Sequence, residues 1–351
     1  MKKMRIISAA IVVVVALSIA IFMVKDKPLQ KYSTTVYDMF DTVTDITGYA
    51  KSEEDFDEQV EPVIEKLSYY NRIYDIYNDY DGINNIKTIN DNAGIAPVKV
   101  DDEVINLIKY GKEIYEDTDG YVNIAFGSVL CIWHEYREAG LDNPDEAAVP
   151  GIDILMAANE HTNIDDVIID EEAGTVFLKD KDMSLDVGGI AKGYATQRAA
   201  DYARELGIES MLFNVGGNIA CVGYKEENEP YKIGIQNPNL ESSEPYIEKL
   251  EIADGMCVVS SGDYQRYYVV DGVKYCHIIN PNTLYPSTTF KQVSVVATDS
   301  GFADGLSTAL FNMSFEDGLA FVESLDGVEA MWVFDDDSIS YSSNFGDYMA
   351  E

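Results

Sequence analysis

Two rhythms of apolar and polar positions alternate along this chain. Residues 53–70 form an acidic stretch with apolar side chains at helical spacing, which predicts an amphipathic helix. Over 104–118, Val104, Leu107, Ile108 and Ile114 share a stripe, with Asp101 or Asp102 available as N-cap. Over 193–206, Ala195, Ala199, Tyr202 and Leu206 share a face, and Gly207 is placed to close that helix. Two more helices are predicted over 303–311 and 315–325. Short apolar runs bounded by turn residues predict strands over 43–49, 165–170, 174–178, 211–215, 231–236, 256–260, 265–270, 274–279 and 291–297, with a closing hairpin over 328–341. Residues 69–91, rich in Tyr, Asn and Asp, read as loops and turns. No repeat or low-complexity tract interrupts the order. Helices and strands mix without strict βαβ alternation, so the expected class is α+β.

One run differs in kind. Residues 6–24 are 19 uncharged, mostly apolar positions behind Lys2, Lys3 and Arg5. That length can cross a bilayer, and the positive flank places the rest of the chain outside the cytoplasm. Ser18-Ile19-Ala20 could be a signal-peptidase site, so residues 1–25 read as either a signal anchor or a cleaved signal. The protein is thus expected on the extracytoplasmic face of the cell membrane, or exported after cleavage. No cysteine lies near this segment to take a lipid. Residues 26–35 read as a polar linker, leaving 36–351 as the folded domain.

Charge narrows the ligand classes. The 351 residues carry 62 Asp and Glu against 25 Lys and Arg, a formal charge of −37. No basic footprint exists to neutralise a phosphate backbone, which excludes nucleic acid as a partner. An anionic ligand would need local Lys, Arg, helix-end or metal charge. Cys131, Cys221, Cys257 and Cys276 form no C-x-x-C pair and are expected as buried free thiols.

Candidate chemistry gathers in the second half. Asp186-Val187-Gly188-Gly189-Ile190-Ala191-Lys192-Gly193 lies between a strand-like and a helix-like run. Its glycines allow close backbone approach, and a helix N-terminus offers N–H groups to a phosphate. Alone, it could equally be a strand-to-helix corner. Asp304 and Thr308, four apart with Ser307 between, place hard oxygen ligands suited to Mg²⁺ on one helix face; the simpler reading is that Asp304 caps the helix. His277 stands at a strand end before Pro281, as an acid, base or phosphate contact, or as a structural histidine. Arg266 could hold phosphate or pair with a carboxylate. The tyrosines between 69 and 80 could stack on a planar ring or pack at an edge. His134 reads as a packing residue, and His161 has no evident role.

Four blocks in order resemble the ApbE family of FAD:protein FMN transferases over roughly residues 36–345. They are Thr118-Asp119-Gly120-Tyr121-Val122-Asn123 with Trp133 behind it; Leu185 through Tyr194; Asn214-Val215-Gly216-Gly217-Asn218-Ile219; and Ser261-Gly262-Asp263-Tyr264 through His277-Ile278-Ile279-Asn280-Pro281 to Ala303-Asp304-Gly305-Leu306-Ser307-Thr308-Ala309. The resemblance implies an α+β fold with mixed sheets flanked by helices. It implies Mg²⁺-dependent transfer of FMN from FAD to a Thr or Ser hydroxyl of an acceptor protein, with AMP released. It also implies that Asp304, Ser307, Thr308 and the Gly189 carbonyl surround the metal. Phe40, Tyr121, Val122, Asn123, Asp186, Lys192 and Ile278 would contact FAD. His277 and Asp304 would be the catalytic pair, Asp304 orienting the metal and available to take the hydroxyl proton while His277 assists transfer. The family often has Asp where Asn123 and Asn218 stand, and Asp-Pro-Arg-Thr-Gly where this chain has Asn280-Pro281-Asn282-Thr283-Leu284. The competing readings are an FAD pyrophosphatase, with water accepting FMN, and a non-catalytic extracytoplasmic flavin carrier.

Overall fold

The computed structural model describes residues 28–225 and 228–350. The predicted membrane segment, residues 6–24, lies outside them. Among the described residues no helix is long and apolar enough to cross a membrane.

The chain opens with a hairpin, β1 (Gln30–Met39) and β2 (Thr42–Ala50), then α1 (Glu53–Tyr74) and the short α2 (Ile86–Asp91). Residues 30–35, expected in a linker, are therefore strand. Their alternation of half-buried and exposed positions, with no continuous apolar run, hid an edge strand. β3 (Val98–Lys99), α3 (Asp102–Asp117), α4 (Gly127–Asp142) and α5 (Ile152–Asn159) come after. Next come β4 (Val167–Asp170), β5 (Thr175–Leu178), α6 (Ala191–Glu205), β6 (Ser210–Val215) and β7 (Asn218–Gly223). Two hairpins, β8 (Tyr231–Gln236) with β9 (Tyr246–Ile252) and β11 (Tyr267–Val270) with β12 (Val273–Cys276), flank β10 (Cys257–Gly262) in sequence. β13 (Phe290–Ala297), α7 (Ser300–Asn312), α8 (Phe315–Glu323), β14 (Glu329–Phe334) and β15 (Ile339–Tyr341) complete the order.

The main sheet has eight strands in the order β1-β2-β6-β7-β10-β13-β14-β15. Its pairings are all antiparallel, as are those of the smaller sheets, where mixed sheets were expected. The central strands are apolar on both faces because both are covered. Cys257, Val259, Val293 and Val295 face a core built with α1, α6 and α7. Val258, Val296, Met331 and Val333 face the opposite way, onto Tyr231, Ile233, Leu250 and Ile252 of the β8–β9 hairpin. A third cluster joins Phe126, Val129 and Trp133 of α4 to Tyr268, Ile279 and Leu284.

The sequence reading does not predict α2, which lies within the 69–91 stretch expected as loops and turns, nor β3, α5 and β9, and further parts were not legible locally. β7 comes after β6 through Gly216 and Gly217, both at positive φ (56° and 91°), a two-residue turn that glycine alone adopts at low cost. α4 starts at Phe126 without a side-chain cap. α7 begins at Ser300, with Asp299 accepting from the Phe302 N–H, so Asp304 sits in the second turn and is not the cap. Cys131 is exposed while the other three thiols are buried, and all four are free.

Phe311 is fully buried where α7 meets β13, with its ring 6.4 Å from that of Phe290. We expect Phe311→Ala to lower stability by about 3–5 kcal/mol. A fall in the denaturant midpoint at constant m-value is the check.

Candidate functional site

α6 and α7 cross where the glycine-rich turn ends. α6 lacks a side-chain N-cap of its own. Its first-turn Gly193 N–H, which has no intrahelical partner, instead donates to Asp304 Oδ2 at 2.8 Å. Asp304 is only 3 % exposed. Burial raises its pKa, against the Lys192 charge, the Gly193 N–H and an Asn218 hydrogen bond. Lys192 Nζ lies 3.8 Å from Asp304 Oδ2 and donates to the Gly188 carbonyl at 3.0 Å. Because Gly193 N–H turns to Asp304, the Gly189 carbonyl accepts no hydrogen bond among the described residues.

One turn along α7, Ser307 Oγ donates to the Asp304 carbonyl at 3.0 Å and lies 2.7 Å from Ser261 Oγ. A Cβ built on Gly189 would stand 3.9 Å from both Thr308 Oγ1 and Cγ2, so the Thr308 side chain lies alongside this turn. Asn218 Oδ1 is buried without a partner. Carboxylate, hydroxyls, a carbonyl and an orphaned amide oxygen make a hard-oxygen set that fits Mg²⁺ and offers no soft ligand.

His277 stands directly after β12. Its ring Nδ1 is 3.2 Å from the Arg266 carbonyl. A carbonyl can only accept, so Nδ1 carries the proton and Nε2 keeps its lone pair. The ring opens to the cleft. Surrounding protein, then the charges of Arg266, Lys192 and Arg137, push its pKa well below the ordinary 6.5; water in the cleft tempers the first effect and leaves the direction unchanged.

Arg266 also donates to the Asp41 carbonyl at 2.7 Å, tying the β1–β2 turn to this strand. That turn holds Asp38, Phe40 and Asp41 at φ 64°, 53° and 51°, each costing roughly 1–3 kcal/mol. Asn71 Oδ1 accepts from the Phe40 N–H at 2.7 Å and fixes it. Across the cleft, Tyr77 is 50 % exposed and its ring lies 5.3 Å from that of His134. Its hydroxyl pKa is pushed up to about 12, first by the protein around it and next by Asp186, against Arg137 and Arg266.

The profile of the ApbE family matches residues 40–332. The chain belongs to the ApbE family. Similar proteins include an FAD:protein FMN transferase of Klebsiella pneumoniae, 34 % identical over 74 % of this chain and 77 % of the relative. Another, of Treponema pallidum, is 31 % identical over 75 % and 74 %. Among solved structures, an ApbE protein of Thermotoga maritima superposes with a TM-score of 0.80 at 29 % identity, covering 92 % of this chain and all of that one. The Vibrio cholerae flavin transferase ApbE, at 23 % identity and a TM-score of 0.75, shares the fold.

In this ApbE fold the structure gathers Asp304, Ser307, Thr308, Gly189 and Lys192 at one crossing, with the Lys192 charge reaching His277. Asp186 accepts from the Gly188 N–H at 2.8 Å, while its own N–H donates to the Ile124 carbonyl at 2.8 Å, which brings the 121–124 loop alongside. Val122 and Ile278 are buried, each 6 % exposed. Asn123 is spent locally, donating to the Thr162 carbonyl at 2.9 Å and accepting from the Ala125 N–H at 2.8 Å. With Tyr121's neighbours Asp119, Gly120 and Phe126, it lines a cleft of about 340 Å³ whose far wall is Pro281 and Asn282. Tyr77 and Arg137 are the site residues that motif reasoning did not single out. The tyrosine cluster held the only local hint of Tyr77. His134, expected as packing, supports both.

A Cβ on Gly193 would collide with the Ser300 carbonyl oxygen and come within 2.5 Å of Asp304 Cβ. Both neighbours are helix α7, so neither can move cheaply. We expect Gly193→Ala to cost about 1–3 kcal/mol and to weaken divalent-cation binding by about tenfold or more. Melting temperature and calorimetric Mg²⁺ titration read the two effects separately.

Proposed function

We propose that this chain transfers the FMN moiety of FAD to a Thr or Ser hydroxyl of an acceptor protein in a Mg²⁺-dependent reaction that releases AMP. We place it on the extracytoplasmic face of the cell membrane, on the strength of Lys2, Lys3 and Arg5 before the apolar residues 6–24. One observation carries the chemistry: a buried hard-oxygen cluster around Asp304 adjoins Lys192, whose charge, with burial and the charges of Arg266 and Arg137, lowers the His277 pKa, in a chain of net charge −37. The names of the relatives supply the substrate.

Asp304, Ser307, Thr308 and the Gly189 carbonyl would hold Mg²⁺, with Asn218 Oδ1 as a further oxygen. The ion, when bound, offsets phosphate charge and polarises the phosphoryl group. Lys192 and Arg266 bind the diphosphate from the other side. Phe40 and Tyr77 offer the planar surfaces, and Tyr121 with the backbone of Val122 and Ile278 and the Asp186 turn line the rest. His277 Nε2 takes the acceptor hydroxyl proton. The hydroxyl oxygen attacks the FMN phosphorus, the bond to AMP breaks, and AMP leaves with the electron pair, met by the same cations. This assigns the base to His277. Asp304, buried and bonded to Gly193, Lys192 and Asn218, positions the metal.

Incubating the protein with FAD, Mg²⁺ and a candidate acceptor should add one FMN, less water, to the acceptor's intact mass. Free FMN and AMP without that gain would sink the transferase reading in favour of hydrolysis, and unaltered bound FAD would favour a carrier. Asp304→Asn should lower transfer by about 10³-fold or more while the fold persists, and full activity in that variant would refute the metal assignment. His277→Asn should cost about 10²–10⁴-fold. The surrounding protein first, and then the cations, hold the His277 pKa down, so the acid limb of the wild-type rate profile should lie below pH 6.5. Arg266→Gln removes one of those charges, raises the histidine pKa, and should move that limb upward.

A further inference from the structure

We propose that Arg137 is a phosphate-binding residue of the FAD site, its guanidinium contacting the diphosphate; this rests on the flavin-transferase reading above. Helix α4 sets its direction. Trp133, Arg137 and Gly140 are spaced by four and three, which is one stripe of the helix. Trp133 stacks on Tyr275 with centroids 6.0 Å apart and donates its indole N–H to the Leu284 carbonyl at 2.9 Å. Gly140 approaches Tyr268 so closely that a Cβ would stand 2.7 Å from its Cδ2. The stripe therefore faces the β11–β12 hairpin, whose open end carries Arg266 and His277, and Arg137 lies between the two contacts. At its N-terminus α4 is pinned by the Gly127 N–H to the Ser184 carbonyl at 3.0 Å, two residues before Asp186. The helix is thus clamped between the two halves of the site.

Its surroundings hold two of the guanidinium nitrogens and leave the third without a partner among the described residues. Arg137 Nη2 lies 2.9 Å from His134 Nδ1. A guanidinium only donates, so His134 is a neutral acceptor with its proton on Nε2. That ring in turn lies against Tyr77. The one carboxylate bonded to Arg137 among the described residues is its half-exposed chain neighbour Glu138, whose Oε1 accepts from Nε at 3.3 Å and from Nη2 at 3.0 Å, and such surface pairs hold little energy. Nη1 makes no hydrogen bond among the described residues. Arg137 joins two other cations of the cleft, Lys192 beside Asp304 and Arg266, whose Nη2 donates to the Asp41 carbonyl. Arg137 keeps Nη1, with two N–H donors at one end of its planar fork, free to meet a phosphate oxygen. Its charge is felt at both Tyr77 and His277.

The test titrates the full chain and its Arg137→Gln and Arg137→Lys variants with FAD and with riboflavin, which has the ring system and no phosphate, at low and high salt. Arg137→Gln should weaken FAD binding by about 10–100-fold, leave riboflavin affinity unchanged and flatten the salt dependence. KM for FAD should rise by a larger factor than kcat falls. Arg137→Lys, which keeps the charge and loses the fork, should fall between, and it carries the test should the Gln variant not fold. Equal FAD affinity in a folded variant and in wild type would overturn the proposal. So would an equal loss for FAD and riboflavin, the mark of a role through His134 and Tyr77 alone. Failure of the wild-type chain to bind FAD would instead defeat the flavin-transferase reading itself.

Discussion

The site depends on one hydrogen bond, from the Gly193 N–H to the buried Asp304 carboxylate. It completes the uncapped end of α6, fixes that helix against α7, and keeps a carboxylate where water cannot screen it. A buried carboxylate costs several kcal/mol unless compensated, and here compensation comes from a backbone N–H, a lysine and an amide. The compensation is incomplete, since the pKa stays raised and Asn218 Oδ1 has no partner. Residual negative character in a dry, oxygen-lined corner is what a hard divalent cation relieves. Gly193 is required because the two helices touch there, and Gly189 matters because its carbonyl is left without a helical donor.

The electrostatic plan is one of local inversion. A chain this acidic repels anions at long range. Within the cleft, the surrounding protein and then the charges of Arg266, Lys192 and Arg137 push the His277 pKa down. The same charges that would bind a diphosphate therefore add to burial in favouring the deprotonated form of the neighbouring base. Its tautomer is set by the Arg266 carbonyl, so one arginine contributes its charge to the cleft and its backbone to the histidine.

Strain is placed where the ligand would lie. Asp38, Phe40 and Asp41 of the β1–β2 turn adopt the left-handed conformation without glycine, and Asn71 and Arg266 hold the turn in place. The eight-stranded sheet, covered on both faces, provides the rigidity that such a turn requires. Phe40 is presented by that turn, which accounts for a bulky residue at positive φ.

The sequence by itself determined the elements with strong periodicity or chemistry. α1, α3, α6, α8, the paired strands β4 and β5, the glycine-rich turn and the Asp304–Thr308 spacing were all visible, because 3.6-residue and two-residue patterns and glycine preferences act over a few residues. The four motif blocks, read together, also identified the family. Tertiary structure decided the rest. That Asp304 caps a helix 111 residues away, that Tyr77 and Arg137 reach the site, and that residues 30–35 form an edge strand all depend on contacts between distant segments. Burial, pairing and convergent charge belong to three-dimensional neighbours, and no local rhythm of the chain encodes which neighbours those are.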